Sequence, residues 1–388
     1  MRIFVLGAGA TGSYLAHLLV RQGHEVTCGD RDLERARRFL GKKSKIPVVQ
    51  VNARNHWAIV RAARGSQLLV NASAAVFNEI VLRAALRIRA HYMDLSAHLT
   101  RNPFKAEQLR YDDRFKEKKR AAVVTAGAAP GLTNLLVARA AAMMDSVEAV
   151  YIRLYESTES DDPVSQWSAE VSFDEAISWP RIVRNGRFSY GKRFGETEKF
   201  RFPPPIGEAT VVLAAQDEVG TVPYFLPLRE MDVKIGGNEI DRLRRWYRQG
   251  KLTRSRGLVA SRFPKTPTPR QVARLIRKGV LQNARFAAAV VVRGVKKDHP
   301  IEVRGDAIFP SLYQIRQRGL ALSPVSYATA HVAALFVKYF PRESAGVFPP
   351  GAIPLENRQA ILKDLRSRGI RVTMKATRKK LSEDEEEF

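Results

Sequence analysis

The sequence contains one cysteine, Cys28, among 388 residues, so no disulfide can form within the chain. This cysteine usage indicates a reducing compartment. The sequence also lacks a long apolar segment, because its longest runs, such as Phe286 to Val292, are too short to span a bilayer. No signal-peptide pattern precedes the first apolar run. We therefore expect a cytoplasmic protein that has no membrane partner.

Motifs for several catalytic classes are also absent. The sequence has no G-x-S-x-G, no H-E-x-x-H and no pair of cysteines. These patterns mark serine hydrolases, zinc peptidases and cysteine-based metal sites, respectively. We therefore expect no metal ion in the functional site.

Acidic residues are few relative to basic ones, with 39 Asp and Glu against 65 Lys and Arg and a net charge of +26. Such an excess indicates either a polyanionic partner or arginines scattered over solvated helix faces. The densest basic segment, Arg242 to Arg256, includes Trp246 and Tyr247, but no nucleic-acid-binding module accompanies it. We favour the second interpretation and do not expect nucleic acid as a partner.

The first thirty residues hold the most informative pattern. An apolar run from Ile3 to Leu6 is followed by a G-x-G-x-x-G fingerprint, a helical pattern and a second apolar run that ends at Asp30. This order is typical of dinucleotide-binding βαβ units, in which the glycines allow a pyrophosphate to approach the helix N-terminus. The predicted cofactor-binding residues here are Gly7, Gly9, Ala10, Thr11, Gly12, Asp30 and Arg31.

Apolar runs and helical patterns continue to alternate as far as residue 126. Six strand-like runs open near Arg2, Glu25, Ile46, Gln67, His91 and Ala121, with five helical patterns between them. Alternation of this kind predicts an α/β fold with a doubly wound parallel sheet, in the strand order 3-2-1-4-5-6. Ligands bind beyond the C-terminal ends of such strands, so the loops after Leu6, Asn71, Leu95 and Ala126 are the candidate site.

These loops have distinctive contents. The fourth strand ends in Asn71-Ala72-Ser73, small residues that let a cofactor approach the backbone, and we predict that all three bind it. The fifth ends in Tyr92-Met93-Asp94-Leu95, and the sixth leads into Pro130-Gly131-Leu132-Thr133-Asn134. Together with GAGATG, these motifs resemble the saccharopine dehydrogenase family, strongly in the first third of the chain and more loosely to about Val372.

The resemblance implies an α+β substrate and dimerisation domain inserted after the Rossmann strands, with C-terminal helices that return to the first domain. On this basis we expect an NAD(P)-binding domain at residues 1–130 and 323–374 and a substrate domain at 131–322. A basic patch followed by Glu383 to Glu387 predicts a disordered charged tail over residues 375–388. The resemblance also implies a homodimer or a higher homo-oligomer.

The function implied by the resemblance is hydride transfer between a nicotinamide and a C–N bond of an amino acid such as lysine or saccharopine. One segment departs from the family pattern: this chain has Tyr155-Glu156-Ser157-Thr158 where saccharopine-forming reductases have Cys-Gly-Gly-Leu-Pro. This difference argues against saccharopine itself as the substrate. The lysine 6-dehydrogenase branch is closer, and the polyamine-forming carboxynorspermidine branch is a third option. A dinucleotide-binding sensor or scaffold without turnover is the alternative from another functional class.

Candidate residues for the chemistry lie in the loops already described and in one downstream turn. Asp94 is our first candidate for the acid or base, although capping of the following turn explains a carboxylate there equally well. His98 and Glu218 are the next catalytic candidates. The predicted substrate-binding residues are Pro130, Gly131, Asn134 and Tyr224.

The cofactor is predicted to be NAD or NADP, with NAD favoured. A carboxylate at Asp30 accepts hydrogen bonds from free ribose hydroxyls and repels a 2′-phosphate. Arg31 and Arg35 favour NADP instead, since either guanidinium can bind the 2′-phosphate of that cofactor.

Overall fold

Two β-sheets with helices packed on them make up the protein. The structure is a computed structural model and describes residues 1–252 and 266–378. Within these residues the first sheet has seven strands, all parallel, in the order β15-β6-β5-β4-β1-β2-β3. Their bounds are β1 Arg2–Leu6, β2 Glu25–Asp30, β3 Val48–Gln50, β4 Leu68–Asn71, β5 His91–Asp94, β6 Ala121–Val123 and β15 Gly346–Phe348. The predicted order 3-2-1-4-5-6 is confirmed, and β15 adds a strand beside β6.

Helices cover both faces of this sheet. Alternate residues of β1 enter two separate cores, Ile3 and Val5 on one face and Phe4 and Leu6 on the other, as expected for a central parallel strand. The helices that precede the second sheet are α1 Ala10–Arg21, α2 Leu33–Leu40, α3 His56–Ala62, α4 Asn78–Arg87, α5 Asp112–Glu117 and α6 Leu132–Ala141. Between β5 and β6 the last of the five helical patterns forms a 3₁₀ turn, Glu107–Tyr111, followed by α5.

The second sheet is mixed and, among the described residues, contains nine strands. Seven of them follow the order β10-β11-β12-β7-β13-β14-β16, while β8 pairs with β12 and β9. The strands are β7 Ser146–Ser160, β8 Arg181–Arg184, β9 Arg187–Tyr190, β10 Glu198–Phe202, β11 Gly207–Leu213, β12 Glu230–Gly236, β13 Leu281–Lys296, β14 His299–Ile308 and β16 Arg371–Arg378. Parallel pairing within this sheet is found between β12 and β7.

The remaining helices lie along or after the second sheet: α7 Ala169–Ile177, α8 Asn238–Arg248, α9 Pro269–Arg277, α10 Leu312–Gln317, α11 Pro324–Lys338 and α12 Leu355–Asp364. Helix α9 starts with a capping box between Thr268 and Gln271 and a proline in its first turn. Helix α11 packs on α1, where the rings of Tyr14 and Tyr327 stack with centroids 6.1 Å apart. The chain thus returns to the first sheet after completing most of the second.

The C-terminal strand corrects one prediction. Strand β16 pairs antiparallel with β14, from Ile301 opposite Arg378 to Ile308 opposite Arg371. Residues 371–374 therefore belong to the second sheet rather than to the first domain, and residues 375–378 are strand rather than tail. Positions 379–388 of the predicted tail, and residues 253–256 of the basic segment, lie outside the described residues.

The doubly wound α/β class is confirmed, together with a second, mixed-sheet domain. One face of the second sheet, including Val150, Ile152 and Val290, shares a core with Leu135 and Leu136 of α6. Within the described residues no helix is both long and apolar enough to cross a bilayer.

Candidate functional site

The glycine-rich loop between β1 and α1 is closely packed on two sides and open on the third. A Cβ on Gly7, whose φ is +97°, would lie 2.7 Å from the backbone nitrogen of Ser73, and one on Gly12 would lie 1.9 Å from the Gly7 carbonyl oxygen. A Cβ on Gly9 would meet a single atom within 4 Å, Nη2 of Arg35 at 4.0 Å. The open flank at Gly9 is the geometry that a pyrophosphate requires.

The first-turn N–H groups at the N-terminus of α1 have no hydrogen-bond partner within residues 1–252 and 266–378. Its N-cap is Gly9, which supplies no capping side chain, and no acidic residue lies in the first turn. The unpaired N–H groups and the positive end of the helix dipole are thus available to an anion. Ala10 and Thr11 begin this turn, and their contact with a dinucleotide phosphate stays a prediction.

Asp30 lies at the C-terminal end of β2 and is 8% exposed. Its Oδ2 accepts the Ala8 N–H at 2.8 Å, and its Oδ1 accepts the Asp32 N–H at 3.0 Å. The carboxylate therefore holds the glycine loop against the start of α2. Each oxygen keeps a further lone pair, so contact with a ribose stays a prediction. Arg31 and Arg35 are exposed beside it.

Asn71 shapes the loop after β4. Its side chain is buried, its Oδ1 accepts the Ser73 N–H at 3.1 Å, and its Nδ2 donates to Oδ1 of Asn78 at 2.7 Å. The Ala72 N–H donates to the Leu6 carbonyl oxygen at 2.8 Å, which brings this loop next to the glycine loop. Ala72 and Ser73 are thus placed to approach a cofactor through their backbone, while Asn71 positions them.

Asp94, at the end of β5, is 0% exposed and surrounded by donors. Its Oδ2 accepts the Tyr92 hydroxyl at 2.9 Å and Nε2 of Gln108 at 3.0 Å, and its Oδ1 accepts the Thr125 N–H at 2.7 Å. Burial raises the pKa of Asp94 to about 7, against the lowering effect of these hydrogen bonds. These contacts match the explanation in which Asp94 caps the turn that follows β5. Any effect of Asp94 on catalysis therefore comes from the way it positions that loop.

His98 lies in a polar cluster on the loop after β5. Its Nδ1 is 2.7 Å from Oε2 of Glu79, and its Nε2 is 2.7 Å from the Thr100 hydroxyl. The hydrogen bond to Glu79 raises the pKa of His98. Oε1 of Glu107 lies 3.9 Å from Nδ1 of His98 and accepts the Arg101 N–H at 2.7 Å. Both nitrogens of His98 are thus engaged, one by Glu79 of α4 and the other by Thr100 of the loop.

The start of α6 and the turn at residues 218–221 form one buried hydrogen-bonded unit. The Thr133 hydroxyl donates to Oε1 of Glu218 at 2.9 Å, and Nδ2 of Asn134 donates to the Thr221 hydroxyl at 2.9 Å. Oε2 of Glu218 is buried without a hydrogen-bond partner among the described residues. Burial raises the pKa of Glu218 to about 7.

The other predicted substrate residues are divided between two places. The Gly131 N–H donates to Oδ1 of Asn134 at 3.1 Å, so Pro130 and Gly131 form the turn into α6 beside Glu218. Tyr224 is 38% exposed and donates its hydroxyl to the Phe104 carbonyl oxygen at 3.0 Å. It stacks against Phe188 at 6.3 Å between centroids, on an aromatic surface apart from the buried unit.

Two cavities lie near these residues, and the sequence predicted neither. One, of about 1310 Å³, separates α1 and α2 from residues of the second domain and of α11. It borders the glycine loop at Ala10, but its lining does not include Asp30 or Asn71, so it lies beside the predicted dinucleotide site. The other is a small recess in the second domain lined by Glu156, Glu175 and Glu239.

The available signal for that recess was Glu156. It is a carboxylate within a strand whose neighbouring positions are mostly buried, and it is itself buried. An acid at such a position is rare without a functional or structural partner. The partners Glu175 and Glu239 come from α7 and α8, which no sequence spacing relates to β7.

The fold and the loop geometry together are those of a Rossmann-type domain with a second, mixed-sheet domain. Residues 3–123 match the family model described as the saccharopine dehydrogenase NADP binding domain. The resemblance to the saccharopine dehydrogenase family that the sequence predicted is thereby confirmed, and the match supports a nicotinamide dinucleotide as cofactor.

Two known proteins illustrate this likeness. The apo saccharopine dehydrogenase (L-Glu forming) of Saccharomyces cerevisiae has the same fold, with a TM-score of 0.70 at 12% identity over 97% of this chain and 99% of that one. Carboxynorspermidine synthase of Vibrio cholerae is 21% identical over 270 residues. That match covers 61% of this chain and 63% of the synthase, less than two thirds of its length.

Proposed function

We propose that the protein is an oxidoreductase that transfers hydride between a nicotinamide dinucleotide and a C–N bond of an amino acid or a related amine. The observation that carries the proposal is the glycine loop, which is packed tightly at Gly7 and Gly12 and open at Gly9. The match of residues 3–123 to a saccharopine dehydrogenase domain supports the same chemistry. A carboxynorspermidine-type activity is a second candidate, supported by the similarity to the synthase of V. cholerae.

In this proposal the residues of the first domain hold the cofactor. The backbone of residues 7–12 binds the pyrophosphate, Asp30 faces the ribose, and the loop of Ala72 and Ser73 borders the rest of the dinucleotide. The nicotinamide, when bound, supplies the hydride acceptor or donor. The two sheets of the described chain would form its dinucleotide domain and its substrate domain, and the predicted homo-oligomer stays a prediction.

One protein group must take the proton that the amine loses. Of the three predicted catalytic residues, Asp94 and His98 have their polar atoms engaged, whereas Oε2 of Glu218 has no partner among the described residues. The raised pKa of Glu218, about 7, suits a group that exchanges a proton near neutral pH. We therefore place Glu218 first for this role, with Asp94 and His98 as positioning residues.

The proposal is tested by an oxidation assay. Purified protein is mixed with NAD or NADP and with lysine, ornithine, saccharopine or carboxylated polyamines, and formation of the reduced cofactor is followed by absorbance. We expect one of these amines to react, and the variant Glu218→Gln to react at least about a hundredfold more slowly. If NADH binds to the protein but none of these amines is oxidised, the non-catalytic sensor becomes the better interpretation.

We expect NADH to bind more tightly than NADPH. The Asp30 carboxylate is held rigidly by Ala8 and Asp32, so it would repel a 2′-phosphate at the end of β2. Asp30→Asn removes this charge and keeps one oxygen for the loop, so it should narrow the preference by about tenfold. Fluorescence titration with NADH and with NADPH measures this ratio of affinities in the wild-type protein and in the variant. Tighter binding of NADPH by wild-type protein would show that Arg31 or Arg35 dominates instead.

A further inference from the structure

Three side chains that bind metals in other proteins meet beside the loop after β5. Glu79 lies in the first turn of α4, His98 lies in the loop, and Glu107 begins the 3₁₀ turn before α5. One atom from each, a ring nitrogen or a carboxylate oxygen, lies within 4.8 Å of the other two. The side chains of His98 and Glu79 are 16% and 12% exposed, so the cluster is largely buried but open to an entering ion.

The distances within this cluster suit an ion placed between its atoms. Nδ1 of His98 is 2.7 Å from Oε2 of Glu79 and 3.9 Å from Oε1 of Glu107. Nitrogen and oxygen ligands about 2.0 Å from a tetrahedral Zn²⁺ lie about 3.3 Å from each other. A change of about 0.6 Å in each pair reaches that geometry. Rotation of the two carboxylates alone can supply a change of this size.

A separate observation indicates a missing partner. Oε1 of Glu107 accepts the N–H groups of Thr100 and Arg101, at 3.1 Å and 2.7 Å. The other oxygen, Oε2, is buried and has no hydrogen-bond partner in the part of the chain that the structure describes. A buried carboxylate oxygen without a donor is costly, and a bound cation removes that cost.

The arginines near the cluster leave room for a metal ion. Nη2 of Arg110 lies 3.4 Å from Oε1 of Glu79, whereas Oε2 of that carboxylate faces His98. Nε of Arg101 lies 3.9 Å from Oε2 of Glu107, on a side chain that is 74% exposed. Solvated guanidinium groups at these distances interact weakly with a carboxylate. Two carboxylates and one imidazole therefore face a common point, and a divalent cation satisfies all three.

The imidazole is already held in the orientation that a metal requires. Nε2 of His98 is 2.7 Å from the Thr100 hydroxyl, so Nδ1 faces the two carboxylates. The His98 carbonyl oxygen accepts the Glu107 N–H at 3.0 Å, and the His98 N–H donates to Oε1 of Gln108 at 3.2 Å. A hydrogen bond on the second ring nitrogen is the usual companion of a metal-binding histidine, because it fixes the tautomer and the ring.

We propose that Glu79, His98 and Glu107 bind one divalent transition-metal ion, Zn²⁺ in the first instance, with water completing its coordination. The imidazole nitrogen favours Zn²⁺ over Mg²⁺ and Ca²⁺, which prefer sites made of oxygen ligands alone.

The expectation of a metal-free site was based on compact sequence motifs. Glu79 and His98 are 19 residues apart and lie on different elements, so they match none of those motifs. The fold brings them together because α4 and the loop after β5 lie at the same edge of the first sheet.

A metal ion at this position would stabilise the turn that carries Glu218. The Ala106 N–H donates to the Gly220 carbonyl oxygen at 3.0 Å, and the Ala97 N–H donates to Oδ2 of Asp217 at 2.8 Å. The loop therefore supports this turn from one side, and the ion would tie the loop to α4. Metal binding itself does not depend on the proposed oxidoreductase activity.

Metal binding is tested on the full chain without a histidine tag. The protein is treated with EDTA, dialysed and titrated with ZnCl₂ or MgCl₂ by isothermal titration calorimetry. We expect one Zn²⁺ per chain, bound at least about a hundredfold more tightly than Mg²⁺. Glu79→Gln and Glu107→Gln should each weaken Zn²⁺ binding by at least about a hundredfold, and Thr100→Val by about tenfold.

The control is His299→Ala, which removes an exposed histidine at the start of β14 and should leave Zn²⁺ binding unaltered. In Glu107→Gln the amide oxygen can still accept the N–H groups of Thr100 and Arg101, so we expect this variant to fold. Thermal unfolding verifies the fold of each variant. Zn²⁺ should raise the melting temperature of the wild-type protein and of His299→Ala, but not that of Glu79→Gln or Glu107→Gln.

The outcomes decide the metal site without reference to NADH or to an amine. One-to-one binding that favours Zn²⁺ and is lost in both glutamate variants supports the proposal, even if no amine is oxidised. Absence of Zn²⁺ binding below about 100 µM overturns it, even if an amine is oxidised. Binding that survives in Glu107→Gln, or that is lost in His299→Ala, places the ion elsewhere and also overturns it.

Discussion

Gly9→Val is expected to lower the affinity for NADH by at least about a hundredfold, or about 2.7 kcal/mol, while the protein keeps its fold. The backbone at Gly9 has φ −78° and ψ −162°, which a valine can adopt. A Cβ there meets only the flexible end of Arg35, at 4.0 Å. The added side chain therefore occupies space that the protein leaves open and that a pyrophosphate needs.

The neighbouring glycine provides a matched comparison. A Cβ on Gly12 would lie 1.9 Å from the Gly7 carbonyl oxygen, so Gly12→Ala should destabilise the fold as well as abolish binding. Fluorescence titration with NADH and thermal unfolding, measured on both variants, separate the two effects. Wild-type affinity in Gly9→Val would show that the pyrophosphate does not lie on this flank.

Asp94→Asn is expected to lower turnover by roughly a hundredfold and the free energy of unfolding by about 2 kcal/mol. The substitution exchanges one acceptor oxygen for an NH₂ group amid three donors, from Tyr92, Gln108 and Thr125. Gln108 cannot simply flip its amide, because its Oε1 accepts the His98 N–H and its Nε2 also donates to the Ser96 carbonyl oxygen. The loop after β5 should therefore shift.

Binding of NADH should change by less than about threefold in this variant, since the side-chain hydrogen bonds of Asp94 go to Tyr92, Gln108 and Thr125 and those of Asp30 go to Ala8 and Asp32. Turnover of the reactive amine, NADH titration and urea unfolding are measured above neutral pH, where the Asp94 carboxylate is ionised. Asp113→Asn, an exposed carboxylate of α5, is the control. Full turnover with unchanged stability would refute the positioning role of Asp94.

Local sequence patterns predicted the first sheet well. The apolar runs at β1, β2 and β4 are bounded by glycines and polar residues, and the right-handed crossover rule then leaves few possible strand orders. The second sheet was harder to predict. Its strands β8, β9, β10 and β16 are short, exposed or interrupted by charged residues, and the pattern of such strands resembles that of a loop. The same holds for β15, the short edge strand of the first sheet.

The candidate site likewise combines residues that local sequence patterns predict with residues that only the packing brings together. The sequence by itself determined the glycine loop, because the steric limits that require glycine at Gly7 and Gly12 arise within the same βαβ unit and its neighbouring strand. Only the tertiary structure decided that Asp94 is enclosed by Gln108 and Thr125, that Glu218 meets Thr133, and that Glu156 joins Glu175. These contacts join residues distant along the chain. Their burial and pKa values follow from packing between elements, which no local pattern encodes.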